Sequence, residues 1–263
     1  MSFAILLVTA CAGPSVVSQA MSLERRNQPD QAIALLREDI RAHPEHLDSR
    51  RLLVRILAVT GDLGAARAEA EQIMLRTPDN DPTALIEVGH AEELAHHFDV
   101  ALEAYDEAAR RAPQSPAGPR EGGLRAARWG EVEVALPRLE EAVRRGADDT
   151  ETLHALGLVR LHAGDLAGAE AAYVRCSAKD KEDTACLLGL ATLALKREDL
   201  RAALLAYDAV LARRKDHVGA LLGRAYCLLS LGEKEAGLRA LDRAAELGAP
   251  QENVRKLRGL ASR

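Results

Sequence analysis

Apolar and small side chains return along this chain at helical spacing, in runs of about a dozen residues separated by short polar turns. The most regular position is a small one: Ala32, Ala66, Ala101, Ala135, Ala169, Ala203 and Gly237 follow at intervals of 34, 35, 34, 34, 34 and 34 residues. Four residues later, one helical turn along the same face, stands a larger and mostly apolar residue: Leu36, Ala70, Tyr105, Leu139, Tyr173, Tyr207 and Leu241. Five residues before the small position a turn opens. It reads Gly61-Asp62-Leu63, Gly130-Glu131-Val132, Gly164-Asp165-Leu166 and Gly232-Glu233-Lys234, with Asn27-Gln28-Pro29, His96-His97-Phe98 and Glu198-Asp199-Leu200 in the remaining units. Twelve residues before it, Val54, Gly89, Gly123, Gly157, Ala191 and Ala225 supply mostly small residues where two helices have to approach closely. Twelve residues after it, Pro44, Pro78 and Pro113 end the second helix and open the next connection. The pattern predicts a unit of two short helices joined by a tight turn, repeated about seven times.

Composition narrows the picture. The 263 residues are 48% hydrophobic but only 3% aromatic, which fits a folded all-α protein rich in Ala and Leu rather than a sheet. Net charge is −5 with a pI near 5.9, and no run of Lys and Arg exceeds three residues. Nucleic acid and anionic membrane surfaces therefore have no electrostatic case as partners. Beyond residue 13 no apolar stretch is long enough to span a bilayer as a helix.

The repeated residues resemble the tetratricopeptide repeat, whose pattern runs L-G, then A-x3-F/Y, then P; Leu156, Gly157, Ala169 and Tyr173 match it. The resemblance covers residues 13–250, in repeats of about 13–46, 47–81, 82–115, 116–149, 150–183, 184–217 and 218–250. The usual first-helix aromatic is missing from most units, and the first unit has a weak opening helix. The family implies an α-solenoid, a right-handed superhelix whose first helices line a concave groove, stabilised by stacking of neighbours. Residues 251–263 would form a capping helix with its basic residues at the favourable C-terminal end.

No nucleotide-binding, nucleophile-elbow or zinc-protease motif occurs, so neither catalysis nor a cofactor is expected. His96-His97 falls on a turn, where solvated side chains rather than metal ligands are expected, and Trp129 beside Gly130 reads as packing. In the resembling family the groove is lined by fixed positions of each first helix. Here these include Arg51, Arg55, His90, Arg120 and Arg128 toward the N-terminus, and His154, Leu158, Leu161, Leu188, Leu195, Leu222, Tyr226 and Leu229 toward the C-terminus. His162 is expected to face the same groove. A cationic start and an apolar finish would suit an extended or helical protein segment with acidic residues beside apolar anchors. The alternative is that some of these leucines are buried by the curl of the superhelix. The repeat register also brings Cys176 and Cys186 to neighbouring helix ends, as a disulfide in an oxidising compartment or as free buried thiols; Cys227 is the remaining cysteine of the repeats.

The opening residues lie outside the repeats. Val8-Thr9-Ala10-Cys11, directly after Ala4-Ile5-Leu6-Leu7, resembles the bacterial lipobox, in which the cysteine is lipidated and becomes the new first residue. Residues 1–10 would then be a lipoprotein signal peptide and 11–20 a tether merging into the first repeat. No Lys or Arg precedes the apolar stretch, so the start of translation is expected upstream. Repeats plus tether look similar to the pilotin-type outer-membrane lipoproteins of type IV pilus biogenesis. The expectation is a non-catalytic scaffold, lipid-anchored to the outer membrane, facing the periplasm, and binding an envelope-assembly or secretin-like subunit. The alternative is a cytosolic adaptor or co-chaperone without a lipid anchor.

Overall fold

A single left-handed residue closes the first helix of every unit. In a computed structural model of the chain, which describes residues 15–77, 81–180 and 183–261, Gly61, Gly130, Gly164 and Gly232 have φ between 83° and 87°. The equivalent residues of the other three units, Asn27, His96 and Glu198, have φ of 59°, 63° and 60°. All seven turns thus share one conformation, and glycine adopts it without strain in four of them. Where Asp follows, its carboxylate caps the second helix: Asp62 accepts from the Ala65 amide at 3.1 Å, Asp165 from Gly168 at 2.9 Å and Asp199 from Ala202 at 2.9 Å.

All regular structure among the described residues is helical. The hairpins pair α1 (Val16–Arg25) with α2 (Pro29–Ala42), α3 (Leu47–Val59) with α4 (Leu63–Met74), and α5 (Thr83–Leu94) with α6 (Phe98–Arg111). They continue with α7 (Ala117–Trp129) and α8 (Val132–Arg144), α9 (Thr150–Ala163) and α10 (Leu166–Lys179), α11 (Ala185–Lys196) and α12 (Leu200–Arg213), and α13 (Val218–Ser230) and α14 (Lys234–Glu246). The last helix, α15 (Gln251–Ala261), buries Val254 and packs on α13 and α14. Pro44 and Pro113 immediately follow the residues that close α2 and α6; Pro78 lies outside the described residues. The opening helix of the first unit is short, 10 residues over Val16–Arg25. Ser15 caps it through the Ser18 amide at 3.2 Å, and Ala20 is buried at the register of Val54 and Gly89.

The chain forms two units, one up to Gly122 and one from Gly123. In the first, α3 packs on α1, α2, α4 and α5, and the core runs from Ala20 through Leu36, Leu53, Ile56 and Ile73. In the second, α9 packs on α10 and α8, α11 on α12 and α10, and α13 on α14 and α12. All seven small positions are buried. Volume is shared between the residue twelve before the small position and the one four after it. Glycines at 89, 123 and 157 face Tyr105, Leu139 and Tyr173, while Val54 is matched by small Ala70 in the same core.

The strained non-glycine turns generate a test. Glu198 is exposed and left-handed, so Glu198→Gly should raise unfolding free energy by up to about 1 kcal/mol, the relief of strain outweighing the added entropy of the unfolded chain. Urea denaturation of the two proteins measures it; a lower midpoint for the variant would contradict the strain.

Candidate protein-binding face

In the first unit, the cations expected along the groove are held by carboxylates of the same unit. Arg51 of α3 bonds Asp48 at 3.0 Å and Asp81 at 3.2 Å, and Arg55 reaches Glu24 of α1 at 2.6 Å. His90 of α5 meets Glu121 at 3.2 Å, and the same carboxylate takes Arg120 at 2.7 Å. In the second unit Arg128 pairs with Glu151 of α9 at 2.9 Å. The expected cationic stretch is therefore charge-balanced. The physical reason is that the repeat brings acidic residues of neighbouring first helices opposite these positions, and counting cations alone overlooks them. The same helices expose apolar side chains that sequence reading passed over: Met21 of α1, Val59 at the end of α3 and Leu94 at the end of α5. Val59 and Leu94 share the register of Arg128 and His162, the signal that could have found them.

The apolar positions of the second unit divide. Leu158 of α9 and Tyr226 of α13 are 37% and 39% exposed, and Leu188, Leu195 and Leu222 are half-buried. Leu161 and Leu229, expected among the anchors, are only 3% and 7% exposed. They belong to the core: Leu161 packs in a cluster with Leu153, Ala169 and Leu193, and Leu229 closes over Gly237, where a methyl group would meet its Cγ at 2.7 Å. Glycine in place of the usual alanine at 237 makes the room that Leu229 fills. On α11, exposed Thr192 and Lys196 join the face, a polar interruption absent from the expected list of anchors.

His154 is half-buried, its ring centroid 5.9 Å from that of Tyr173. Burial pulls the imidazolium pKa below its ordinary value, opposed by the charge of Asp183. His162 is exposed, with Nδ1 2.8 Å from the Leu158 carbonyl. The two histidines do not converge on a shared polar partner. Of the turn pair, His96 is the left-handed residue and His97 turns back, Nδ1 3.0 Å from the carboxylate of Glu92.

Glu92 is the most deeply placed charge of the first unit, fully buried on α5 and also paired with Arg67 of α4. The hydrogen bond from Arg67 holds its carboxyl below the usual glutamate range against the opposing effect of burial, with His97 adding to the effect. Cys176 at the end of α10 and Cys186 at the start of α11 stand in disulfide geometry with Cα atoms 6.0 Å apart, whereas Cys227 is a buried free thiol whose pKa burial pushes up. The Val8-Thr9-Ala10-Cys11 segment lies outside the described residues.

A family model described as Tetratricopeptide repeat matches residues 17–84, 121–180 and 188–252. No curated protein matches the sequence. Among solved structures the chain is similar to the C-terminal part of a TPR repeat-containing protein from Cytophaga hutchinsonii, with a TM-score of 0.71 at 13% identity, over 90% of this chain and 98% of that one. It is also similar to YrrB, described as a TPR protein with an unusual peptide-binding site, with a TM-score of 0.56 at 19% identity over 71% of this chain and 95% of that one. Pseudomonas aeruginosa pilF matches with a TM-score of 0.55 at 15% identity over 76% and 90%. These likenesses carry the fold.

The buried carboxylate gives a pH-dependent expectation. Because the folded pKa of Glu92 is depressed, its stabilisation is full above the unfolded value of about 4.3 and is lost as pH falls through the lower folded one. Glu92→Gln should therefore lose about 1–2 kcal/mol at neutral pH, discounted for the half-exposed Arg67. The gap between variant and wild type should close on acidification. Denaturant melts across pH measure it, and a gap that widens toward acid would contradict the assignment.

Proposed function

The chain belongs to the tetratricopeptide repeat family, and from that premise we propose that it is a non-catalytic scaffold that binds a protein segment on the first helices of its second unit. The observation that carries this reading is the exposure of Leu158 and Tyr226, beside half-buried Leu188, Leu195 and Leu222, on the faces of α9, α11 and α13. Apolar and aromatic side chains of this kind dominate binding energy once desolvated by a partner. The peptide-binding site named for YrrB supports a peptide-like occupant. Arg128 of the second unit is paired with Glu151, so the partner contributes apolar anchors first.

The scaffold is held at an outer membrane, facing the periplasm, by lipid on Cys11. The support is the lipobox-like Val8-Thr9-Ala10-Cys11, together with the nearness of Cys176 and Cys186, a bridge that an oxidising compartment would maintain. Assembly of an envelope complex such as the type IV pilus secretin is the role, a choice the likeness to pilF supports.

Two experiments test this. Acyl chains contribute about 0.8 kcal/mol per buried methylene, so fatty-acid label and membrane retention should both disappear in Cys11→Ala. Label that persists in that variant, or wild type recovered from the cytosol, would favour the cytosolic adaptor instead. Binding of a purified secretin subunit should weaken by about thirtyfold, near 2 kcal/mol, in Tyr226→Ala, with circular dichroism confirming intact helices. Wild-type affinity in a folded Tyr226→Ala protein would remove the face from the interface.

A further inference from the structure

The connection between α2 and α3 reads His43-Pro44-Glu45-His46. His43 closes α2 and His46 precedes α3, with a proline between them that fixes the path of the chain. The two imidazoles stack with ring centroids 4.5 Å apart. Between them reaches the carboxylate of Glu45, Oε1 lying 3.7 Å from His43 Nδ1 and 4.0 Å from His46 Nε2. One ligand atom from each of the three residues falls within 4.8 Å of the others. Ligands at 2.0–2.2 Å around a tetrahedral ion stand about 3.3–3.6 Å apart. The exposed His43 and Glu45 would turn out of the ring stack toward His46 to bring the three atoms to that spacing.

A second observation comes from beneath the loop. The buried Asp39 accepts from the Ser49 hydroxyl at 2.5 Å and stands 3.1 Å from His46 Nδ1. An ionised carboxylate can only accept, so Nδ1 is the donor to Asp39 and Nε2 is the nitrogen left for a ligand, on the side of Glu45. A carboxylate fixing the tautomer and orientation of a histidine is the usual outer support of a metal-bound imidazole. The ring is not used to cap α3, since His46 makes no side-chain cap there.

We propose that His43, Glu45 and His46 form a binding site for a borderline divalent cation of the zinc class, with Asp39 as the residue that positions His46. Two imidazole nitrogens and one carboxylate oxygen suit zinc, and equally the class of nickel and copper, over magnesium or calcium. Asp39, Glu45 and His46 also line a cleft with Val16, Val17 and Leu47. A position left open on the ion is thus accessible to water or to a donor atom of a partner. The bound ion would pin the connection between α2 and α3, independently of the face described in the second unit.

Isothermal titration of zinc chloride into the untagged full chain tests the site, with magnesium chloride as a parallel titrant. Saturable binding of one zinc per chain, no magnesium binding at the same concentrations, and at least about tenfold weaker zinc binding in His43→Ala and in His46→Ala are expected. The His43 side chain is exposed and the residue closes α2 through its backbone amide, which alanine keeps, so its variant should fold, as circular dichroism would verify. His96→Ala, on a turn of another repeat, should keep wild-type affinity. No saturable zinc binding, binding that survives the double His43→Ala/His46→Ala variant, or an equal loss in His96→Ala would each overturn the site.

Discussion

The ring of Tyr173 lies directly against the backbone of two helices. Its Cε1 is 2.6 Å from where a methyl group would stand on Gly157 of α9 and 2.5 Å from the same point on Gly189 of α11. No real side chain tolerates such distances, so glycine is required on both sides for the ring to fit between its own first helix and the next one. The ring is buried, and that burial pushes the phenol pKa up to about 12. Tyr207 repeats the device against Gly223 of α13, and Tyr105 against Gly89 of α5. Each aromatic acts as a spacer whose thickness sets how closely consecutive helices approach, and contacts with neighbours are the source of stability in a repeat array.

That spacing decides what the exposed face looks like. With Tyr173 wedged behind α9 and α11, Leu153 and Leu193 go to the core, and Leu158 is left on the outer side of α9. Leu161 and Leu229, one turn further along, tip inward because Ala169 and Gly237 leave space behind them. The proposed binding face is the remainder after the core has taken what it needs. It is narrower than the register alone suggests, and it mixes Thr192 and Lys196 with its leucines and tyrosine.

The period, the turns and the seven small positions were legible because each recurs at a fixed interval and each answers a local backbone or packing requirement. The left-handed turn at Asn27, His96 and Glu198 could be placed from its neighbours even without glycine. The need for glycine at 189 and 223 is not legible within one repeat, since their partner tyrosines lie sixteen residues earlier in the preceding hairpin and the demand for space crosses from one repeat to the next. Ion pairing escaped for the same reason: Arg55 and Glu24 are 31 residues apart, as are His90 and Glu121. Burial of individual leucines depends on the volume of the facing residue, which a single helix pattern does not contain. His43 and His46 stood in plain sight in the sequence, but their relation to Asp39 needed the fold.

A double-mutant cycle on Gly189 and Tyr173, read by urea denaturation, tests the spacer most directly. Gly189→Ala alone should destabilise by about 1–3 kcal/mol, because the added methyl group overpacks the ring. In a Tyr173→Leu background, where the ring is gone, the same change should be nearly neutral, giving a coupling energy of about 1 kcal/mol or more. Additive effects of the two substitutions would contradict the account.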